Sequence, residues 1–302
     1  MSQGADSITS IFFALGANLA IAVAKLAAAV VSGSGAMMAE AIHSFADTGN
    51  QGLLLLGLNR SKRPPSPDYP LGHGKAIYFW SFIVALMLFS IGGMYSVFEG
   101  FHKLNHPEPL DHAFIVVGVL LFSLSAEGIS LWGCMREINK DRRGRSLLEW
   151  FGETRRSELL IVFGEDFAAL LGLCFALIAV GWTVVTGNPV YDAAGSIVIG
   201  LLLVSVAIGI GNEVKGLLIG QGVEPALKAE MKAFLESCDE VERVLNIVSL
   251  QLGSDVMVAV KSRMADFSSA EEMVRAINRC EKSFKLAYPQ VLWLFFEPDL
   301  ED

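Results

Sequence analysis

Six long apolar stretches divide the first two thirds of the chain. Each has the roughly 17 to 25 mostly apolar residues that an α-helix needs to cross a bilayer. We predict six transmembrane helices at 8–31, 36–58, 77–98, 113–135, 157–182 and 190–212. The sequence SGSG at 32–35 predicts a tight turn, so the first two helices should be adjacent and antiparallel.

After about residue 212 the apolar positions become periodic instead of continuous. We predict, in order, a helix, two strands, a helix and a strand at 224–236, 244–252, 255–264, 268–287 and 290–299. The second helix opens with a capping-box pattern, either Ser268 with Glu271 or Ser269 with Glu272. This order predicts a small α+β domain with helices on one face of a sheet.

These patterns predict two domains, a transmembrane domain at 1–212 and a C-terminal cytoplasmic α+β dimerisation domain at 213–302. Hydrophobic residues make up 53% of the chain and charged residues 18%. A soluble domain carries nearer 25% charged residues, so charge-poor segments must contact the lipid bilayer. The net charge of −9 gives no sign of a nucleic-acid partner, and none is expected.

The Lys and Arg residues are concentrated in the loops 59–76 and 136–156. Such loops lie on the inner side of a membrane, and six spans then place both termini on the same side. We therefore predict cytoplasmic termini. The four cysteines are far apart and form no C-x-x-C pair, which argues against a disulfide framework or a thiolate zinc site.

The second predicted span carries a polar stripe. Glu40, His43, Asp47 and Asn50 fall on one helical face. Ionisable side chains at this depth are rare and face a bundle interior or a water-filled cavity. One alternative is a purely structural network in which Asp47 pairs with Lys25.

The fifth predicted span carries two adjacent acids, Glu165 and Asp166. Adjacent residues on a helix point about 100° apart, so both can face one ion only if the helix is distorted at Gly164. A structural role for these acids is the alternative.

Together the two spans supply an imidazole and several carboxylates without a thiolate. This set suits a divalent cation such as zinc, manganese, cobalt or iron, with zinc favoured by four tetrahedral ligands. Because ligands bind metal in their deprotonated form, the site could exchange protons for metal. Secondary or auxiliary candidates are Glu40, Asn50, Glu127, Asp68 and His73.

Three segments resemble the cation diffusion facilitator family. They are NLAIAVAKLAAAVVSGSGAMMAEAIHSFADTGNQ at 18–51, YPLGHGKAIYFWS at 69–81 and FFEPD at 295–299. HSFADTGNQGLLLLGL, with FGEDFAALLGL in the fifth span, is most similar to the branch related to the mitochondrial zinc transporter.

The resemblance implies a homodimer of six-helix protomers with a ferredoxin-like cytoplasmic domain. It also implies export of divalent metal, driven by proton movement through alternating access. The family's transport site has two ligands four residues apart on helix two and two more on helix five.

The helix-two ligands correspond to His43 and Asp47, and the second ligand of helix five to Asp166. The first ligand of helix five falls on Val162, which cannot coordinate a metal. Candidates for the missing ligand are Glu165, Glu127 or water. We predict His43, Asp47, Asp166 and Glu165 as the metal-binding set.

Many relatives also bind metal in the cytoplasmic domain through histidines. Here no histidine follows His112; Phe295 stands where a histidine is common, and Glu297 matches an acid of that region. We therefore predict a domain that dimerises without tight zinc binding.

The leading hypothesis is a proton-coupled exporter of divalent metal, with zinc first and manganese, iron or cobalt as alternatives. An intramembrane metal hydrolase would need a motif such as H-E-x-x-H, which is absent, so we predict no enzyme. A non-transporting membrane sensor or scaffold is a third hypothesis. Since neither a transit-like presequence nor a long histidine-rich loop is present, we expect a bacterial inner membrane.

Overall fold

A computed structural model describes residues 2–107, 109–110, 112–142 and 144–301, with side chains described at residue 16 and from residue 18 onward within these ranges. The helices of the first two thirds are α1 (Ser2–Ser32), α2 (Gly35–Ser61), α3 (Ala76–Met87), α4 (Tyr95–Asn105), α5 (Ala113–Asp141), α6 (Leu147–Glu153), α7 (Ser157–Thr186) and α8 (Val190–Ile219). A π-helical segment, Leu88–Met94, joins α3 to α4 without a break.

Each predicted membrane span lies within a helix. From the second span onward, the observed helices begin within one residue of the predicted start, and their C-terminal ends extend beyond the apolar portion. Among the residues that the structure describes, four helical stretches are long and apolar enough to cross a membrane: Ala76–Asn105, Ala113–Asp141, Ser157–Thr186 and Val190–Ile219. In the part of α1 whose side chains are described, the apolar stretch is shorter, at Asn18–Ser32. The helix α2, which carries the polar stripe, is not among these four stretches. Six membrane-spanning helices therefore stay a prediction.

The chain forms two compact units. The first, here called the membrane unit, comprises Met1–Leu56, Trp80–Ser146 and Glu158–Asn212. The second, the C-terminal unit, comprises Gly57–Phe79, Leu147–Ser157 and Glu213–Asp302, and so includes two segments from the basic loops. The predicted domains at 1–212 and 213–302 stay a prediction.

In the membrane unit, the start of α2 is fixed by a carboxylate from α8. Asp192 accepts hydrogen bonds from Ser34 Oγ at 2.6 Å and from the Gly35 backbone N–H at 2.5 Å. An acid at a helix N-terminus satisfies N–H groups that otherwise have no partner. This cap fixes the axial position of α2, on which the predicted ligands lie.

The C-terminal unit contains α9 (Pro225–Glu236), β1 (Val241–Leu252), β2 (Asp255–Met264), α10 (Ala270–Ala287) and β3 (Val291–Pro298). This is the α-β-β-α-β order that the sequence predicts. The strand order is β1-β2-β3, with β1 antiparallel and β3 parallel to β2. One sheet face packs against α9 and α10 through a core that includes Met231, Leu235, Val258 and Phe284. Whether the unit is ferredoxin-like stays a prediction.

Gly74 of the YPLGHGK segment lies against the β1–β2 turn. A Cβ on Gly74 would collide with the carbonyl oxygen of Leu252. The Gly253 N–H, in a residue with φ of +69°, donates a hydrogen bond of 3.0 Å to Tyr78 Oη. The glycine at 74 is therefore required for close backbone contact within the C-terminal unit.

Candidate metal site

His43 and Asp47 lie on one face of α2, as their spacing requires. Four residues are about one turn of an α-helix. The His43 Nε2 atom lies 3.4 Å from Asp47 Oδ2, and the two side chains are 1% and 16% exposed. The polar stripe therefore brings an imidazole and a carboxylate together inside the helix bundle.

Glu40, one turn earlier, belongs to a cluster with α1. The Lys25 ammonium donates hydrogen bonds to Glu40 Oε2 at 3.3 Å and to Ser44 Oγ at 2.7 Å. The other Glu40 oxygen faces α7, where a Cβ on Gly172 would collide with it. The structure thus places Lys25 against Glu40 and Ser44, whereas the structural alternative had paired it with Asp47.

The two acids of α7 point in different directions. The Asn50 amide of α2 donates a 2.6 Å hydrogen bond to Glu165 Oε1, while Ser130 of α5 donates one of 2.9 Å to Asp166 Oδ2. The separation follows from the roughly 100° between adjacent helical positions. Glu165 is therefore directed toward the helix that carries His43 and Asp47.

A small cavity of about 30 Å³ joins these helices. Its lining residues come from α1, α2, α5 and α7: Asn18, Ile21, Ser44, Asp47, Gln51, Glu127, Ser130, Val162, Glu165 and Asp166. This space is large enough to hold a water molecule. Four carboxylates line the cavity, and Val162 contributes an apolar side chain.

Several buried polar atoms beside the cavity have no hydrogen-bond partner among the described residues. They are both ring nitrogens of His43, Asp47 Oδ1 and Asn50 Oδ1. Buried polar atoms are normally hydrogen-bonded, because leaving one unsatisfied costs roughly 1–3 kcal/mol. Nitrogen and oxygen atoms kept in this condition are available to a cation.

The ligands are not preassembled. Within the described ranges, no three His, Cys, Asp or Glu side chains are gathered closely enough to hold a metal ion. His43 Nε2 lies 3.4 Å from Asp47 Oδ2 without a hydrogen bond, while Glu165 and Asp166 accept hydrogen bonds from Asn50 and Ser130. Binding would require these side chains to draw closer together around the cavity that they line.

The remaining auxiliary candidates lie in two different units of the chain. Glu127 lines the cavity. Asp68 and His73 lie in the C-terminal unit, where Asp68 is exposed and the His73 ring lies 4.4 Å from that of Tyr69. His73 Nδ1 is buried without a hydrogen-bond partner among the described residues, so this pair stays a weaker candidate.

Sequence reasoning missed three contributors to the membrane site. Ser44 and Ser130 carry no pattern that distinguishes them from other helical serines, although Ser44 directly follows His43. Gly92 of the π-helical segment was also missed; a Cβ there would lie 3.9 Å from His43 Nδ1. π-helical segments frequently occur at functional sites, but SIGGM carries no periodic signal that reveals one.

Comparison with known proteins gives a consistent result. Residues 11–219 match the family model of the cation efflux transmembrane domain. The chain is 36% identical over 231 residues to a mitochondrial proton-coupled zinc antiporter of Xenopus laevis and 33% identical over 231 residues to that of Homo sapiens. Each alignment covers 76% of this chain and 41% of the relative. The manganese efflux system protein MneP of Bacillus subtilis is 24% identical over 258 residues, with 82% of this chain and 80% of the relative covered.

These relatives correct the expected location. The prediction of a bacterial inner membrane is wrong, because the Xenopus and human relatives are both mitochondrial. The prediction relied on the lack of a presequence. The chain spans about two fifths of the length of these relatives, so the position of its first residue carries no information about targeting.

Proposed function

This chain belongs to the cation efflux family, and we propose that it exports divalent metal cations in exchange for protons, with zinc as the leading candidate substrate. The observation that carries this proposal is the buried His43–Asp47 pair beside a cavity lined by carboxylates. Ionisable groups within membrane helices are costly and typically mark ion pathways.

We assign the transported cation to His43, Asp47 and Glu165, with Asp166 as the fourth ligand. His43 and Asp47 supply one nitrogen and one oxygen donor from α2. The Asn50 hydrogen bond directs Glu165 toward the same helix, which supports Glu165 as the replacement for the ligand missing at Val162. Asp166 also lines this cavity, and its carboxylate accepts a hydrogen bond from Ser130.

Zinc is the leading candidate substrate because the donor set combines imidazole with carboxylates. Zinc binds His nitrogen and Asp or Glu oxygen at about 2.0–2.2 Å in tetrahedral sites. Manganese, cobalt and iron also accept such ligands, and the Bacillus relative is named for manganese efflux. Manganese is therefore the second substrate to test.

Proton coupling follows from competition for the same atoms. The imidazole and carboxylates bind metal only when deprotonated, so each departing cation leaves sites that protons can fill. In alternating access, protons entering from one side would displace the metal bound from the other.

We also propose six membrane-spanning helices and a homodimer formed through the open face of the C-terminal sheet. Two cross-strand rows of apolar residues lie on this face: Val248, Ala259 and Phe295, and Leu250, Met257 and Trp293. Val248 is 56% and Phe295 54% exposed. Light scattering on the full chain should show a dimer for the wild type and a monomer for V248D/F295D.

Flux into proteoliposomes tests the transport proposal. The wild type should carry zinc at a rate that rises with an imposed pH gradient, while D47A and D166A should lose transport. E137Q removes an exposed acid from α5 and serves as the matched control. Unchanged zinc flux in both D47A and D166A would overturn the proposal, and metal binding without flux would support a sensor instead.

A further inference from the structure

Lys25 of α1 is a fully buried lysine within the membrane unit. Its side chain is 0% exposed, as is that of Glu40, its partner in a 3.3 Å ion pair. The ammonium makes its shorter hydrogen bond, 2.7 Å, with Ser44 Oγ. Ser44 lines the same cavity as Asp47, so the Lys25 charge lies one side chain away from the candidate metal site.

The electrostatic reach of this ammonium extends beyond its hydrogen-bond partners. Asp47 and Glu127 line the same cavity as Ser44, the residue that the ammonium contacts, and charges interact strongly where little water is present. Lys25 is therefore a fixed positive charge within the group of side chains that would hold the cation.

A purely structural role explains this arrangement poorly. A buried ion pair is often no more stabilising than two apolar residues of similar size. Glu40 satisfies only part of its bonding capacity here, because its Oε1 atom has no hydrogen-bond partner among the described residues. The other Lys25 bond goes to a residue of the cavity wall instead of to a second acid.

We propose that Lys25 is an affinity-setting residue: its fixed charge opposes the bound divalent cation and so allows the cation to be released. This inference rests on the proposed transport site. A group of carboxylates sufficient to capture a divalent ion inside a membrane would otherwise hold it tightly, since charges interact strongly where little water is present. Lys25 is a positioning and electrostatic residue, not a ligand.

Metal binding to the purified full chain tests the inference. Isothermal titration with zinc compares the wild type, K25M, E40Q and the double variant K25M/E40Q, with K25R as the charge-preserving control. Methionine approximates the length and volume of lysine without its charge. Zinc uptake into proteoliposomes gives the KM and the maximal rate for each variant.

We expect K25M to bind zinc about tenfold more tightly than the wild type, because a nearby like charge is removed. Its KM and its maximal rate should both fall, since release becomes slower. E40Q should bind more weakly than the wild type, while the double variant should return toward the wild-type affinity and K25R should preserve it.

The double variant keeps the test decisive if K25M does not fold. Within the E40Q background, the loss of Lys25 must still tighten zinc binding. Equal or weaker binding in K25M, or in K25M/E40Q relative to E40Q, overturns the inference while leaving the transport site intact. A wild type that binds no zinc overturns the proposed function and this inference together.

Discussion

The two units of this chain differ in whether they bury ionisable side chains. The core of the C-terminal unit is apolar, and its ion pairs, such as Lys261–Asp299 and Arg275–Glu271, lie at least partly exposed. The membrane unit instead buries Lys25, Glu40 and other ionisable groups.

This difference distinguishes the buried groups that stabilise a fold from those that are proposed to bind a cation. Buried apolar groups stabilise a fold through removal from water, whereas buried charges cost free energy unless they are fully paired. The burial in the C-terminal unit thus serves the stability of its fold. The membrane unit keeps unsatisfied atoms around His43 and Asp47, as the proposed binding and release of a cation would require.

The largest expected effect tests the apolar side of this comparison. Phe284 of α10 is 0% exposed and contacts Phe234 with a centroid distance of 5.8 Å. F284A should destabilise the C-terminal unit by about 3–5 kcal/mol, measured by hydrogen exchange of 225–298 in the full chain. L286A, at a position 75% exposed on the same helix, is the control.

The zinc affinity of F284A should stay within about twofold of the wild type if the two units divide these roles, a difference below about 0.5 kcal/mol. A loss of zinc binding at temperatures where the membrane unit remains folded would contradict the division.

The next effect tests which acid of α7 faces the cation. E165Q keeps an oxygen that can accept the Asn50 hydrogen bond but removes the charge. We expect zinc binding to weaken about 100-fold, because loss of even an outer partner of a metal ligand costs roughly 10- to 100-fold. D166N, measured in the same titration, should weaken binding less; the reverse order would make Asp166 the principal ligand of α7.

A smaller effect tests the positioning of these acids. N50A removes the amide that directs Glu165, and we expect about tenfold weaker zinc binding with a normally folded helix bundle. S130A removes the corresponding partner of Asp166 and should have the lesser effect. Equal affinities for N50A and the wild type would show that Glu165 needs no orienting bond.

Sequence patterns predicted the features that depend on residues close together along the chain. The starts of the membrane helices follow from the apolar runs, and the shared face of His43 and Asp47 follows from helical spacing. The alternation in 244–252 and 255–264 predicts the strands, because one face of the sheet is covered by helices.

What could not be predicted depends on the rotation of one helix against another. Spacing shows that Glu165 and Asp166 diverge, but not that Asn50 and Ser130 receive them. Nor does it reveal that Lys25 bonds Ser44, nineteen positions along the chain. Such contacts depend on how α1, α2, α5 and α7 pack, and no local period encodes this packing.

The smallest expected effect concerns the cap of α10, where a polar group stabilises the C-terminal unit without being buried. Ser269 Oγ accepts a 3.2 Å hydrogen bond from the Glu272 N–H, which is the serine half of the second predicted capping box, while the Glu272 carboxylate accepts from the N–H and hydroxyl of Ser268 instead of from the Ser269 N–H. S269A should destabilise α10 by about 1 kcal/mol, seen as faster hydrogen exchange in its first turn. S283A places the same substitution at an exposed position inside the helix and should be neutral or slightly stabilising, because alanine favours helix interiors. Equal exchange in both variants would mean that the serine cap contributes nothing beyond helix propensity.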